Sequence, residues 1–395
     1  MNVLMLVFNS PERGTYWRAF HFGRILVAHG HRVMLLTTAR RAHLRKRAFT
    51  KDGVHVIEIP DLLFGPLRSG WDAWNTLMRL DVVRRQRFDV VHGFECRPVV
   101  IYPALLAHRM GARLVLDWAD WLGKGGSVEV RPWWQRSLMR PIETFYETHF
   151  RVRADGHTVI NHFLEERVRA LAPDAPVRLL RNGSNLPIFR MPLATARRIT
   201  GLPADGELIG FLGSTYAPDA RLMAEAFNVL HRRRPQTRLL LAGYFNRPIE
   251  TWLDAPEAVI RTGMVSTERL GQYLSACDVC WLPLTASGTN IGRWPYKFSD
   301  YLSAGCPIIA SAVGDFKEIL STLGAGEVVP SDATAFAEHT AALLDAPKRR
   351  ERLSAAALQA AETHFNWDVL GLQLEDFYTW ICNQSSRSDL KSKGI

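Results

Sequence analysis

Residues 289–310, T-N-I-G-R-W-P-Y-K-F-S-D-Y-L-S-A-G-C-P-I-I-A, hold the side chains best placed for chemistry. The stretch reads as a loop, a helix N-terminus, a helix closed by Gly305 and, after Pro307, a buried strand. Arg293 and Lys297 fall in the loop and the first turn, and Asp300 follows three residues after Lys297. Free N–H groups and the helix dipole both favour negative charge at such a terminus. Two cations at that point suit a diphosphate. A carboxylate one turn further suits a pair of ribose hydroxyls. The same spacing also fits a polar loop entering an ordinary amphipathic helix, so the surrounding elements must decide.

Those elements alternate strand and helix throughout. Strands are expected at 3–8, 32–37, 54–59, 89–92 and 114–117, and helices at 17–28, about 73–87 and 98–110. The pattern restarts with strands at 177–180, 207–213, 238–243, 259–261 and 279–282, and helices at 220–233 and 268–276. Helical periodicity returns at 333–344 and 355–363, then in an aromatic helix carrying Leu370, Leu374, Phe377 and Tyr378 before a polar tail. Alternation of this kind predicts parallel, doubly wound sheets. Two successive α/β units predict two Rossmann-like domains facing across a cleft, joined near 175–200. Ligands in such sheets bind beyond the carboxyl ends of the strands, so the informative residues follow each strand.

Composition agrees with a globular, two-domain chain: 395 residues, 47% hydrophobic and 22% charged. No apolar run reaches about 18 residues, so no transmembrane helix is expected. Met1-Asn2 leads straight into V-L-M-L-V-F, and no signal peptide is expected. Five scattered cysteines suit a reducing, cytoplasmic compartment. Cys277-Asp278-Val279-Cys280 has metal or redox spacing, but it lies in a buried-strand pattern with no second ligand pair, so no metal and no bound cofactor are expected.

Residues 1–150 hold 22 Lys and Arg against 13 Asp and Glu, which accounts for nearly all of the net +10. The densest patch is 40–47, R-R-A-H-L-R-K-R, which suits an anionic surface. Segment 133–153 mixes Trp, Phe, Leu and Arg at helical spacing. It fits either a core-facing helix with a basic outer face or an interfacial helix resting on anionic membrane. Nucleic acid is not expected as a partner, because no recognised module accompanies the charge. The loop after the first strand, with Gly14 and Thr15, lacks a full G-x-G-x-x-G, which argues against a nicotinamide enzyme.

Taken in order, F-D-V-V-H, R-N-G-S-N, I-G-F-L-G-S, R-L-L-L-A-G, R-T-G-M-V-S-T-E-R-L, C-D-V-C-W-L-P-L and the stretch 289–310 resemble the glycosyltransferases of the two-Rossmann-domain GT-B type, specifically the large retaining family 4. The resemblance spans nearly the whole chain and is strongest from about 177 to 330. It implies an acceptor-binding domain at 1–175, a nucleotide-sugar-binding domain at 176–365 and a C-terminal helix at 366–395 packing back on the first domain. It implies a nucleotide-sugar donor, with Gly14 in the first domain and Gly213, Ser214, Gly243, Met264 and Val265 along the second lining its site. Arg293 and Lys297 would neutralise the diphosphate, and Asp300 would hold the ribose.

The chain also departs from the family. The first acid of the family's Glu, seven residues, Glu motif falls at Gly292, and the usual Arg and Lys after the G-F-L-G strand are missing, leaving Arg221 as the nearest cation. The usual His after the 114–117 strand is replaced near Ala119, leaving Asp120 and then Asp117 as the catalytic or positioning candidates. Each also fits a structural role, Asp117 capping a turn and Asp120 pairing with an Arg. The implied reaction is sugar transfer to a lipid-linked or polysaccharide acceptor by a peripheral enzyme on the inner membrane face. A nucleotide-sugar epimerase or a non-catalytic nucleotide-sugar-binding protein are the alternatives.

Overall fold

The computed structural model describes residues 1–41, 44–63 and 70–392, the last eight of these by backbone alone. Two compact units result, residues 1–181 with 367–395, and residues 182–366.

The first unit runs β1 (Asn2–Leu6), α1 (Thr15–Ala28), β2 (Arg32–Thr38), β3 (Arg47–Lys51), β4 (Val54–Ile59), α2 (Ala73–Val83), β5 (Val90–Phe94), α3 (Pro98–Arg109), β6 (Arg113–Trp118), α4 (Trp133–His149), β7 (Gly156–Val159), α5 (His162–Leu171) and β8 (Val177–Leu179). Its eight strands lie in the order β3-β4-β2-β1-β5-β6-β7-β8. Central strands are parallel, with Leu4 opposite both Met34 and Val91, and are buried on both faces, as runs of Val, Leu and Ile require. β3 is an addition to the expected elements. It pairs antiparallel with β4 at the edge, placing Arg47 and Lys51 where charge blunts an open edge.

The second unit runs α6 (Leu193–Thr200), β9 (Glu207–Leu212), α7 (Ala217–Arg233), β10 (Thr237–Ala242), β11 (Val259–Gly263), α8 (Thr267–Ser275), β12 (Val279–Leu282), α9 (Gly288–Ile291), α10 (Tyr296–Ser303), β13 (Ile308–Ser311), α11 (Phe316–Leu323), β14 (Gly326–Val329), α12 (Ala333–Leu344) and α13 (Pro347–His364). Its sheet, β11-β10-β9-β12-β13-β14, is wholly parallel. Phe211, Leu239, Val279 and Trp281 pack against Met223, Phe227 and Phe336 of the covering helices.

One boundary differs from the expected division at 175/176. The strand at Val177–Leu179 pairs with β7, Leu179 opposite Val159, and so closes the first sheet instead of opening the second. A short apolar run reads alike in either sheet. Only pairing assigns it.

Helix α14 (Trp367–Ser392) belongs to the first unit. Gly371 lies against Ile25 of α1, where a Cβ would come within 2.5 Å of the Ile25 side chain. Trp367 stacks on His21 at 4.8 Å, and Tyr378 shares a 2.6 Å hydrogen bond with Nδ1 of buried His92. Glu375 accepts from both His29 and His31. The final three residues of the polar tail lie outside the described residues.

Of the two arrangements that the sequence allows, helix α4 does not take the core-facing one. Its buried side chains are Glu143 and Glu147, whereas Trp133 is 74% exposed and Trp134, Leu138 and Phe145 are also exposed. Glu143 pairs with Arg97 and Arg131, each at 2.9 Å. Glu147 accepts from Trp118 Nε1 and from the backbone N–H groups of Leu122 and Gly123. Inward carboxylates held in this way fix the helix and leave its apolar face outward. Among the described residues no helix is long and apolar enough to cross a membrane.

Candidate functional site

In the second unit, β9 ends at Leu212 and the chain turns through Gly213, whose φ of +67° favours glycine, into Ser214. This loop meets the start of α10. Lys297, in the first turn, donates to the Ser214 carbonyl at 2.9 Å and lies 3.7 Å from the centre of the Phe211 ring. Burial, with Arg293 beside it, pushes the Lys297 ammonium well below its ordinary pKa, while Asp219 and Asp300 oppose that shift. Pro295 precedes the helix, no side chain caps it and its first turn holds no acid. The anion site expected there is therefore left to the two cations and the backbone.

Arg293 is positioned by a residue absent from the sequence-based set. Asp219, fully buried in the first turn of α7, accepts from Thr285 N and Oγ1 and from Asn290 Nδ2 at 2.7–2.9 Å. Its other oxygen faces Arg293 at 3.4 Å, and Arg293 also donates to Asn290 Oδ1 at 2.5 Å. The signal was in Y-A-P-D: an acid at a helix start on the face that the neighbouring Leu222 and Met223 show to be buried.

Asp300 is engaged within its own chain. It is 6% exposed, and its Oδ1 accepts from Ser184 Oγ and Asn185 N, both at 2.9 Å. Ser299 Oγ donates to the Asn182 carbonyl, so the R-N-G-S-N segment is clamped onto α10. Burial raises the Asp300 pKa to about 6 against the hydrogen bonds from Asn185 and Ser184 that lower it. The observed work of Asp300 is this clamp; the ribose role would require the carboxylate to exchange partners.

Gly243, at φ +78°, donates its N–H to Thr262 Oγ1 and bridges to Gly263. Met264 beyond it is 79% exposed and Val265 half-buried, which leaves that backbone open to a ligand. Arg221 lies exposed on α7, paired with Glu225 one turn on at 3.4 Å and packed over Trp252.

In the first unit, Asp117 is engaged within its own chain. It ends β6 fully buried, gripped by Arg18 through bonds of 2.9 and 3.0 Å and by Thr158 Oγ1 at 2.5 Å. Burial alone would raise its pKa, but Arg18 outweighs that and holds the carboxyl below its ordinary value. Three of its roughly four acceptor positions are thereby occupied. Asp120 is half-buried, and its N–H, with that of Ala119, donates to Glu95 Oε1 at 3.3 Å. Glu95, at φ +77° after β5, is buried and its pKa is raised well above the usual range by that burial. Sequence reading missed it because nothing in G-F-E-C signals a left-handed glutamate. Gly14 caps α1 at φ +51°, and a Cβ there would meet Asn9 at 2.7 Å. Close packing against Asn9, which accepts from Thr15 N and Oγ1, is the observed reason for this glycine.

Thus Gly213, Ser214, Arg293 and Lys297 come together at one helix start, while Arg221 and Asp117 lie elsewhere. The arrangement can stabilise a diphosphate as charge develops on it.

Residues 13–183 match the family model described as "Glycosyl transferase 4-like domain", and residues 206–346 match "Glycosyl transferases group 1". The chain is similar to the D-inositol 3-phosphate glycosyltransferase of Thermobispora bispora, 30% identical over 230 residues that cover 53% of this chain and 51% of the relative. It is also similar to the phosphatidyl-myo-inositol mannosyltransferase of Mycobacterium tuberculosis strain CDC 1551, 26% identical over 235 residues covering 57% and 59%. The chain therefore spans little more than half the length of these curated relatives. Among solved structures, the sucrose-phosphate synthase from Thermosynechococcus elongatus matches with a TM-score of 0.74 at 20% identity, covering 96% of this chain and 98% of that one.

Proposed function

From a chain that belongs to glycosyltransferase family 4, with two Rossmann-like domains of the GT-B type, we propose an enzyme that moves a sugar from a nucleotide-diphosphate donor to a lipid-linked or polysaccharide acceptor, with retention, in cell-surface glycan synthesis. The observation that carries this reading is the pair Arg293 and Lys297 gathered at the uncapped start of α10, with Lys297 tied to the Ser214 carbonyl at 2.9 Å.

A nucleoside diphosphate leaves as the glycosidic bond breaks, so the principal demand is stabilisation of developing negative charge. Lys297, Arg293 and backbone N–H groups of α10 meet it, and no metal is needed in this scheme. The acceptor hydroxyl attacks on the face that the diphosphate leaves, and a departing phosphate oxygen takes its proton. Asp120 positions the sugar and the acceptor. In this reading the enzyme works at the cytoplasmic membrane face, and the outward apolar face of α4, with Arg136 and Arg140 exposed beside Trp133 and Trp134, supports contact with anionic lipid. One of the two relatives is named for a phosphatidyl lipid, which supports an acceptor presented at such a surface.

The test is release of nucleoside diphosphate from UDP-, GDP- or ADP-glucose in the presence of a membrane lipid extract, compared with Lys297→Ala. Release dependent on both the extract and Lys297 supports the reading. The absence of release with all of them would count against it.

A further inference from the structure

Three of the five cysteines meet inside the second unit, and the reaction scheme uses none of them. Cys277 follows α8, Cys280 lies in β12 and Cys306 lies on the turn between α10 and β13. All three side chains are fully buried. The spacing of Cys277 and Cys280 is visible in the sequence, whereas Cys306 joins them only through the pairing of β12 with β13. The Cys280 N–H donates to the Pro307 carbonyl at 2.8 Å, so the two backbones meet one residue from Cys306. The Cys280 thiol shares hydrogen bonds with both Cys277 and Cys306. Gly210 of β9 makes the room, since a Cβ there would lie 2.6 Å from the Cys277 sulfur and 3.0 Å from the Cys280 sulfur. Cys277 and Cys306 also donate to the α8 carbonyls of Tyr273 and Leu274, at 3.4 and 2.9 Å. Among the described residues no group of His, Cys, Asp or Glu is arranged to hold a metal ion, so the chemistry this cluster offers is that of thiols.

The three thiols are not equivalent. Burial alone would raise the Cys306 pKa, but the hydrogen bond from Cys280 and the neighbouring Arg190 guanidinium outweigh it and hold the group below its ordinary value. Arg190 is fixed there by donating to the carbonyls of Gly305 and Cys277. Cys280 is shifted the other way, well up, by burial and by its hydrogen bonds to Cys277 and Cys306. A thiol biased toward thiolate beside a protonated thiol is the pairing that a nucleophilic and a resolving cysteine need.

We propose that Cys306 and Cys280 form a redox modification site, in which Cys306 reacts with a hydroperoxide and Cys280 resolves the product as a disulfide. The Cys306 sulfur attacks one peroxide oxygen, the O–O bond breaks, and the other oxygen leaves as water or an alcohol with the thiol proton. The Cys280 sulfur then attacks the sulfenic acid, the S–S bond forms, the S–O bond breaks, and the hydroxyl leaves as water with the Cys280 proton. Two thiols are oxidised and one peroxide is reduced. The bond ties β12 to the turn that closes α10. This chemistry is independent of the transfer reaction.

The test treats the full chain, reduced beforehand, with hydrogen peroxide, a probe little larger than water and so suited to thiols without exposed surface. Free thiols are blocked under denaturing conditions, and the chain is digested without reduction and mapped by mass spectrometry. Wild type is expected to yield a peptide joining Cys280 to Cys306 with the loss of two hydrogens, absent from the untreated chain. Cys306→Ala and Cys280→Ala should each abolish the link, and Cys277→Ala should retain it. Fragmentation of the wild-type linked peptide places the bond even where a buried alanine variant fails to fold. A disulfide from Cys277 to either of the others, or recovery of Cys280 and Cys306 as free thiols, overturns the proposal. A link that forms only in the urea-unfolded chain overturns it as well.

Discussion

Arg18 and Asp117, 99 positions apart, form a fully buried ion pair with two hydrogen bonds of 2.9 and 3.0 Å. The pair ties α1 to the end of β6, and Arg18 also donates to the Arg181 carbonyl at the end of the first unit's main segment. A carboxylate that would otherwise mark the expected catalytic position is thereby a structural anchor.

Asp117→Asn should therefore destabilise the first unit by about 3–5 kcal/mol, since it leaves Arg18 buried without its counter-charge. The Asp117 pKa is lowered in the folded state, so its stabilisation is present above the unfolded value of about 3.9 and is lost as pH falls through the folded one. Urea unfolding at neutral pH measures the first effect. Unchanged stability with lost activity would return Asp117 to the catalytic set.

Asp300 carries the opposite sign. Its folded pKa of about 6 lies above the unfolded value, so its contribution is full below about pH 4 and is lost as pH rises through 6. Asp300→Asn keeps an acceptor oxygen for Ser184 and Asn185 and removes the buried charge. It should stabilise the second unit at pH 7 by about 1–3 kcal/mol, with the gain shrinking toward pH 4. Thermal unfolding across that range decides, and a variant less stable at pH 7 would contradict the assignment.

Asp219 should act through Arg293. Asp219→Ala is expected to weaken nucleoside diphosphate binding about tenfold, the worth of one charge-assisted contact. The double variant with Arg293→Ala should be little worse than Arg293→Ala alone. Additive losses would show that Asp219 does something else.

The outward face of α4 should bind membrane. Replacing Trp133 and Trp134 by Ser should reduce sedimentation with phosphatidylglycerol vesicles at least about tenfold, given roughly 1.5 kcal/mol or more for each buried aromatic, and leave nucleotide binding intact. Retained vesicle binding would remove α4 as the contact.

Much of this was legible in the chain. The alternation of apolar strands and amphipathic helices gave two Rossmann-like sheets because strands buried on both faces must read as continuous Val, Leu and Ile. The position of Arg293 and Lys297 at a helix start was legible because the loop, Pro295 and the helical periodicity after it are all local signals. The partners were not. Whether Asp117 meets a substrate or Arg18, and whether Asp300 meets a ribose or Ser184, depends on contacts across 99 and 116 positions. Asp219 and Glu95 were missed for the same reason: a buried polar residue shows its purpose only through the groups that satisfy it. Segment 133–153 was legible as amphipathic, but which face turned inward was set by Arg97, Arg131 and Trp118, which hold its two glutamates.

Calorimetric titration of the full chain with UDP, GDP and ADP, beside Lys297→Ala, is the most direct test of the donor site at α10. One diphosphate should bind with roughly micromolar affinity, weakened at least about tenfold in the variant. Binding of none, or equal binding by the variant, would contradict the assignment of this helix start as the donor site.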